Sequence, residues 1–189
     1  MTTLDRTVAY FGPGYCMPGD KFGPVLRPNT TYLCFEPPGP TTPERIIALE
    51  TYSKILTPSA REVVKLLRRS ARNTRLPTSS VDAVHIYNLL TAREKMRQPE
   101  DFVREGLRIV KPGEWIYSGE TRTPWVFPLE RLLDLPCLRG LAVETMLDLS
   151  KQGWDDRAKR LVVEQIGAFY EEGSGVNKKD AYIVRIQKS

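Results

Sequence analysis

The sequence predicts an α/β protein built on a mostly parallel sheet with helices on both faces. Short runs rich in β-branched and aromatic residues alternate with runs of helical periodicity along most of the 189 residues. One run, "VDAVHIYNLL" at 81–90, is almost continuously apolar, as expected of a strand that is buried on both faces. Neither a repeat nor a low-complexity linker interrupts this alternation, so residues 1–189 are expected to form a single domain.

Several runs are interpreted as strands from their composition. The first, "RTVAYF" at 6–11, is followed by two glycines, Gly12 and Gly14. The predicted strands are 6–11, 30–36, 61–67, 81–90, 114–120, 141–149 and 180–187. The third of them, "REVVKLL", also fits a helix, and this alternative stays open.

The predicted helices are identified by start and stop signals. Thr and Pro open the run from 41 to 56, which is expected to end near Pro58. In the run from 98 to 110, Pro and acidic residues form the first turn and "KPG" follows the last apolar residue. The helices are predicted at 41–56, 98–110, 127–135 and 156–172. The segment 15–29 has too much proline and glycine for a helix and is expected to be a loop.

The composition is that of an ordinary globular protein, with 41% hydrophobic and 27% charged residues. No apolar run approaches the ~18 residues of a membrane span, and "MTTLDRT" lacks the features of a signal peptide. A cytoplasmic location is therefore expected. Cys16, Cys34 and Cys137 have no metal-like spacing and are expected to be reduced thiols. With a single histidine in the chain, no metal site is expected.

The net charge of +5 allows an acidic partner without requiring one. The densest basic stretch, "KLLRRSARNTR" at 65–75, has two interpretations. It could contact phosphate or nucleic acid, or it could be a solvated strand end or loop. The second interpretation is favoured, because no aromatic residues are interleaved with the cations for base stacking.

A ligand site is expected at the carboxyl ends of the early strands, because open α/β sheets bind their ligands there. The residues at these ends are Gly12 and Gly14 after the first strand, Glu36 after the second, Ser70 and Ala71 after the third, and Tyr87 and Asn88 after the fourth.

Residues 76–120, "LPTSSVDAVHIYNLL…DFVREGLRIVKPGEWIYSGE", carry a family resemblance. This segment resembles the "LP…fD-V" stretch, the helix that follows it and the "LR-LKPGG" entry to the fifth strand of class I S-adenosylmethionine-dependent methyltransferases. The order of the elements and the terminal "AYIVRI" are similar to the family over nearly the whole chain. The resemblance implies a Rossmann-like, seven-stranded, mostly parallel sheet with an antiparallel last strand, and S-adenosylmethionine as the cofactor.

The resemblance also implies cofactor contacts. "FGPG" at 11–14 matches the turn at which glycine lets the backbone approach the cofactor. Glu36 matches the carboxylate that accepts hydrogen bonds from both ribose hydroxyls. The implied cofactor-binding residues are Phe11, Gly12, Gly14, Glu36, Ser70, Ala71 and Ile86, with Ser70 and Ala71 beside the adenine and Ile86 beside the methyl group.

Three residues near the end of the fourth strand are candidates for the catalytic site. His85 has an unperturbed pKa that suits a general base. Alternation places it on the same face as Ala83 and Tyr87 inside a buried strand, which favours a structural role. Tyr87 and Asn88 lie nearer the strand end and are better placed to contact an acceptor. "NLLT" at 88–91 lacks the N/D-P-P-Y/F pattern, which disfavours amino-group methylation of bases and glutamine.

Three functions are carried forward from the sequence. The first is methyl transfer to a small molecule or a peptide, which requires alignment of the reactants more than acid–base chemistry. The second is a catalytically inactive, methyltransferase-like binding or assembly protein, expected to form a homodimer. It is suggested by Tyr10, Cys16 and Ser70, which replace an acidic residue, a glycine and a carboxylate of the family pattern. It is also suggested by the expected lack of N-terminal capping helices. The third, weaker one is an RNA-associated methyltransferase that uses residues 65–75.

Overall fold

The computed structural model of this chain describes residues 6–12, 18, 25–35, 58–90, 99–121, 126–166 and 179–189. Seven strands form one sheet in the order β3-β2-β1-β4-β5-β7-β6. The strands are β1 (Arg6–Phe11), β2 (Thr30–Phe35), β3 (Val64–Leu67), β4 (Val81–Tyr87), β5 (Val110–Glu120), β6 (Ala142–Asp148) and β7 (Tyr182–Gln187). The predicted α/β class and the seven-stranded sheet are confirmed.

Strand directions follow the predicted mixture. The pairs β1–β2, β1–β4, β2–β3 and β4–β5 are parallel, whereas β7 lies between β5 and β6 and runs antiparallel to both. The antiparallel last strand is therefore confirmed. From β1 the chain first builds the sheet outward through β2 and β3 and then returns to β4 on the other side of β1. The carboxyl ends of β1 and β4 thus form the topological switch point, where open α/β sheets bind ligands.

Four α-helices lie in the described part of the chain: α1 (Pro58–Val63), α2 (Glu100–Ile109), α3 (Leu129–Leu133) and α4 (Asp156–Gln165). The start of α4 is capped by Asp155, whose side chain accepts a hydrogen bond from the Ala158 N–H at 2.7 Å. Helices were predicted over the ranges of α2, α3 and α4 and are confirmed there, although α3 is shorter than predicted.

The predicted start of the third strand, at residue 61, is wrong. Residues 61–63 belong to α1, and the third strand begins only at Val64, where pairing with Tyr32 of β2 begins. Pro58 is the first residue of α1, a position at which the missing N–H of proline has no penalty. The predicted helix at 41–56 and most of the loop at 15–29 lie outside the described residues.

The predicted strand at 81–90 is also too long. It ends at Tyr87, because Asn88 has a φ of +52° and turns the chain out of the sheet. Asparagine is one of the few residues that adopt this left-handed conformation at low energetic cost. The continuous apolar run gave no sign of this turn.

Helices cover both faces of the sheet, as predicted. On one face, α2 and α3 bury Phe102, Val103 and Leu132 against strand residues that include Phe11 and Ile86. On the other face, α1 and α4 pack against Tyr10, Ala83 and Tyr87, among others. Because α4 belongs to the connection between β6 and β7, a late segment of the chain covers the face formed by the early strands. Among the described residues, no helix has the length and apolar character needed to cross a membrane.

Candidate functional site

The candidate site lies where β1 and β4 end side by side. Phe11, the last residue of β1, is in register with Ile86 of β4 and with Phe35 of β2, and all three are fully buried. Gly12 leaves β1 with a φ of +57°, and its N–H donates to the Phe35 carbonyl oxygen at 2.8 Å. The turn that was expected to approach a nucleotide therefore starts with the left-handed conformation that favours glycine.

Leu89 fills the space against Gly12. A Cβ atom on Gly12 would lie 2.6 Å from Leu89 Cδ1 and 3.5 Å from Cδ2. The half-buried isopropyl group of Leu89 thus lies on the Gly12 α-carbon. The left-handed backbone of Gly12 is compatible with S-adenosylmethionine, whereas the Leu89 side chain occupies the space beside the Gly12 α-carbon. The family resemblance places Leu89 at the strand end beside the methyl group, but its packing on Gly12 was not expected, since the run 81–90 was interpreted as a strand.

Asn88 connects the ends of β4 and β5. Its N–H donates to the Gly119 carbonyl oxygen at 2.9 Å. Its side-chain Oδ1 accepts hydrogen bonds from the Thr121 N–H at 2.7 Å and from the Thr121 hydroxyl at 3.0 Å. The Asn88 side chain therefore holds the edge of the site in place on the side where an acceptor was expected.

Glu120 is a buried carboxylate at the same edge, and sequence reasoning missed it. It is the last residue of β5, has no exposed surface, and accepts a hydrogen bond from the Leu90 N–H at 2.9 Å through Oε1. It is in register with Tyr182 of β7. Burial raises the pKa of Tyr182, and the negative charge of Glu120 adds to this shift. Glu120 could have been found in the sequence as an acidic residue at the end of a predicted strand, which is how Glu36 was identified.

Tyr87 and Tyr10 form hydrogen bonds with α4. The Tyr87 hydroxyl donates to Gln165 Oε1 at 3.0 Å, and the Tyr10 hydroxyl donates to the Gln165 carbonyl oxygen at 3.3 Å. Burial raises the pKa of Tyr87 well above 10, and the nearby Tyr117 adds to the rise. The Tyr87 hydroxyl is thus a neutral donor that is already engaged within the protein.

His85 lies in a row of aromatic rings. Its ring stacks on Tyr10 at 5.4 Å and on Tyr117 at 5.0 Å between centroids. Its Nδ1 is enclosed and has no hydrogen-bond partner among the described residues. Burial, together with the positive charges of Arg27 and Arg6, lowers the pKa of His85 to about 3. A neutral histidine of such low basicity is a poor general base at neutral pH.

A small pocket adjoins His85 on the face covered by α4. It encloses about 20 Å³, which is room for one water molecule. Arg6, Arg27 and Tyr32 lie in its wall. This volume is far too small for a cofactor, so the pocket does not compete with the carboxyl edge as the candidate site.

The turn after β3 contains the expected adenine contacts. Ser70 Oγ accepts a hydrogen bond from the Arg72 N–H at 3.2 Å, and Ala71 is buried. The turn is tied to α2 because Glu105 Oε1 accepts from the Thr74 N–H at 2.8 Å and from the Thr74 hydroxyl at 2.6 Å. With strands ~4.8 Å apart, β3 ends ~10 Å from β1, two strand spacings along the same edge of the sheet.

The structure brings together Phe11, Gly12, Ile86 and Asn88, with Ser70 and Ala71 farther along the edge. Gly14 and Glu36 lie outside the described residues, so the ribose carboxylate stays a prediction. Across the described ranges, no three His, Cys, Asp or Glu side chains are grouped so as to hold a metal ion.

No protein-family model and no curated protein sequence matches the chain. Solved structures do match. YcgJ from Bacillus subtilis aligns with a TM-score of 0.57 at 12% identity, over 98% of this chain and 93% of that protein. A SAM-dependent methyltransferase from Aquifex aeolicus aligns with a TM-score of 0.55 at 14% identity, over 96% and 80% of the two chains.

The cyclase SpnF aligns as well, with a TM-score of 0.56 at 15% identity, over 97% of this chain and 74% of SpnF. At such low identities these similarities concern the fold. Together with the strand order, they show that the chain has the Rossmann-like fold of the class I S-adenosylmethionine-dependent methyltransferases.

Proposed function

We propose that the chain binds S-adenosylmethionine at the carboxyl edge where β1 and β4 meet, and transfers its methyl group to a small molecule or a peptide. The observation that carries the proposal is the left-handed Gly12 at the switch point of a sheet with this strand order. A cytoplasmic location is part of the same proposal.

The cofactor contacts follow from the edge described above. Phe11 and Ile86 form the buried base of the site, and the Gly12 main chain approaches the amino-acid part of the cofactor. Ser70 and Ala71 border the adenine, and Glu36 and Gly14 complete the set that the sequence predicts. When bound, the cofactor supplies an electrophilic methyl group on its sulfonium.

The chain contributes alignment and the exclusion of water. Neither His85, which is weakly basic, nor Tyr87, whose hydroxyl is bonded to Gln165, is available to take a proton at neutral pH. Asn88 instead holds the acceptor side of the edge rigid through Thr121. An acceptor that brings its own nucleophile, such as an amine, a thiolate or an activated carbon, suits such a site.

The test is calorimetric titration with S-adenosylmethionine and S-adenosylhomocysteine. Binding in the micromolar range is expected, and Glu36→Ala should weaken it at least about tenfold, the loss expected for a charge-assisted hydrogen bond. Glu62→Ala, which removes an exposed carboxylate on α1, is the matched control and should bind as the wild type does. Lack of binding at millimolar ligand contradicts the proposal, and an unaffected Glu36→Ala variant contradicts the assignment of Glu36.

A second candidate is a binding or assembly protein that uses the fold without the cofactor, as a homodimer. The observation that favours it is Leu89, whose side chain fills the space against Gly12. SpnF, with the same fold, is named as a cyclase, in line with the rule that one fold hosts several functions. A protein that ignores S-adenosylmethionine and sediments as a dimer supports this candidate, whereas a monomer that binds the cofactor contradicts it.

A further inference from the structure

The strongest concentration of positive charge in the chain flanks the turn that contains Ser70 and Ala71. Residues 65–75 carry five cationic side chains and no acidic one, a local charge of +5 that equals the net charge of the whole protein. Four of these side chains, Lys65, Arg68, Arg69 and Arg75, are exposed and are called the basic strip. The fifth, Arg72, is half-buried, with its guanidinium 5.1 Å from the centre of the Phe102 ring.

The basic strip follows an edge of the sheet. On its side of the described sheet, β3 is the outermost strand, and Lys65 lies on it. Arg68 and Arg69 follow directly after β3, and Arg75 follows the turn that contains Ser70 and Ala71. The strip therefore runs along the outer strand and around its carboxyl end. Because β1 to β4 are parallel, this end lies on the same side of the sheet as Gly12.

The acidic side chains at Glu100, Asp101 and Glu105 of α2 are engaged with cations outside the strip. Glu105 is paired with Arg108 at 2.7 Å, and Glu100 with Arg104 at 2.6 Å. Asp101 lies 3.9 Å from Arg72.

Within the described part of the chain, Lys65, Arg68 and Arg75 form no ion pair, with Glu62 of the adjacent α1 included. Arg69 makes a long contact, 3.5 Å, to the Thr74 carbonyl oxygen. Among the described residues, the positive charge of the strip is thus left uncompensated, which favours a positive potential at this edge.

A polyanion with spaced charges fits this geometry better than a membrane does. A peripheral membrane surface combines cations with exposed apolar side chains. In the described residues, the exposed large apolar side chains are Val25 and Leu133, and neither belongs to the strip. Lys65 lies on β3, whereas Arg68 and Arg69 follow its carboxyl end, so these cations are spread along the edge and can engage different phosphates of one flexible strand.

We propose that the basic strip binds the sugar–phosphate backbone of a single-stranded nucleic acid. No aromatic side chain belongs to the strip, so contacts are expected to phosphates and not to stacked bases, and binding is expected to be independent of base sequence. This activity does not depend on methyl transfer and goes beyond the proposed function.

The test is fluorescence anisotropy with a labelled uridine oligonucleotide and with thymidine DNA of the same length, at several salt concentrations. Contacts to three or four phosphates should make the logarithm of the association constant fall with the logarithm of salt, with a slope of about −2 to −3. A triple variant, Lys65→Gln, Arg68→Gln and Arg75→Gln, should reduce this slope by about 2 and the low-salt affinity by at least tenfold. Equal affinity for the RNA and the DNA supports backbone recognition, and a preference for RNA indicates added contacts to the 2′-hydroxyl.

The matched control is a second triple variant, Arg139→Gln, Arg157→Gln and Arg160→Gln. It removes three exposed cations that lie outside the basic strip, so its net charge equals that of the first triple variant. It should bind within about twofold of the wild type. Equal losses in both triple variants overturn the proposal, since net charge alone then explains binding.

Three other results overturn the proposal as well. They are no binding at low salt, an affinity that does not change with salt, and competition by anionic vesicles or an acidic peptide as strong as that by unlabelled RNA. If the first triple variant self-associates while its RNA affinity is unchanged, the strip only protects the edge strand from pairing. Titration of that variant with S-adenosylmethionine measures cofactor binding separately. Failure of the nucleic-acid proposal can therefore be distinguished from failure of the methyltransferase proposal.

Discussion

At the scale of single residues, the His85 side chain packs as an aromatic ring between Tyr10 and Tyr117. It lies in register with Tyr10 of β1 and Tyr117 of β5, so the three rings form a row across neighbouring strands. Protonation would place a positive charge in this row near Arg6 and Arg27, without a hydrogen-bond partner for Nδ1 among the described residues. Stacking and burial therefore keep the imidazole neutral.

We predict that His85 makes the stability depend on pH. Its pKa is about 6.5 in the unfolded chain and about 3 in the folded protein. Between these values the unfolded chain binds a proton that the folded protein does not. The free energy of unfolding should therefore fall as the pH falls below 6.5, by at most ~1.4 kcal/mol per pH unit.

Urea unfolding at pH 7, 6 and 5 tests this prediction, since few carboxyl groups titrate in that range. His85→Phe keeps an aromatic ring in the row and should show no such fall. A wild-type protein whose stability is constant over this range, or a variant with the same pH dependence, contradicts the prediction. Because the chain has a single histidine, its NMR signals give an independent reading of the pKa.

Leu89 carries a prediction about cofactor access. Its isopropyl group lies on the α-carbon of Gly12, in space that a ligand at this main chain is expected to use. Leu89→Ala should therefore raise the affinity for S-adenosylmethionine by about tenfold, equivalent to ~1.4 kcal/mol. Calorimetry measures the change, with Leu133→Ala, an exposed leucine of α3, as the control. A weaker or unchanged affinity for Leu89→Ala shows that the leucine does not obstruct the site.

At the scale of elements, the contact between α2 and the turn after β3 positions the expected adenine side. Glu105 of α2 is buried and accepts two hydrogen bonds from Thr74. Burial alone would raise the pKa of Glu105, but hydrogen bonds from Arg108 and Thr74 outweigh it and hold the pKa below its usual value. The carboxylate thus stabilises the fold at neutral pH, and this contribution is lost as the pH falls through its lowered pKa.

We predict that Glu105→Gln destabilises the protein by ~1.5–3 kcal/mol, since charged hydrogen bonds to buried partners are lost. The amide hydrogen of Thr74 should also exchange faster with solvent. Urea unfolding and hydrogen exchange measure the two effects. Glu100→Gln on the same helix breaks an exposed pair with Arg104 and should cost less than ~0.5 kcal/mol. Equal effects of the two substitutions contradict the special role of Glu105.

A second contact between elements explains why α4 covers the early strands. Gln165 accepts hydrogen bonds from Tyr10 of β1 and Tyr87 of β4. Tyr10 lies where the family resemblance has an acidic residue, and here its hydroxyl is bonded to a helix. At this position, where the sequence departs from the family pattern, Tyr10 therefore helps to pack α4 against the sheet.

At the scale of the whole molecule, one edge of the sheet collects the features of interest. The carboxyl ends of β1, β4 and β5 bring together Gly12, Asn88 and Glu120, and the basic strip lies at the outer end of the same edge. The proposed cofactor site and the proposed nucleic-acid surface are thus neighbours, with β2 between β1 and β3.

Much of this architecture was predictable because its signals are local. The strand 6–11 and the helix at 98–110 were recognised from composition, spacing and terminal residues, and the structure contains both. The errors occurred where local signals are ambiguous. "REVVKLL" fits a helix and a strand, and pairing of Val64 with Tyr32 decides where the strand begins. The run of apolar residues 81–90 concealed the left-handed turn at Asn88.

The sequence by itself determined the fold class, the order of most elements and the strand ends at which a site was expected. Only the tertiary structure decided which side chains meet there. Gln165 forms hydrogen bonds with Tyr10 and Tyr87, which lie 155 and 78 positions away in the chain. Glu105 forms hydrogen bonds with Thr74, 31 positions away. Leu89 likewise reaches Gly12 from a distant segment. The physical reason is that periodicity and propensity act over a few residues, whereas these contacts depend on how the strands are ordered in the sheet.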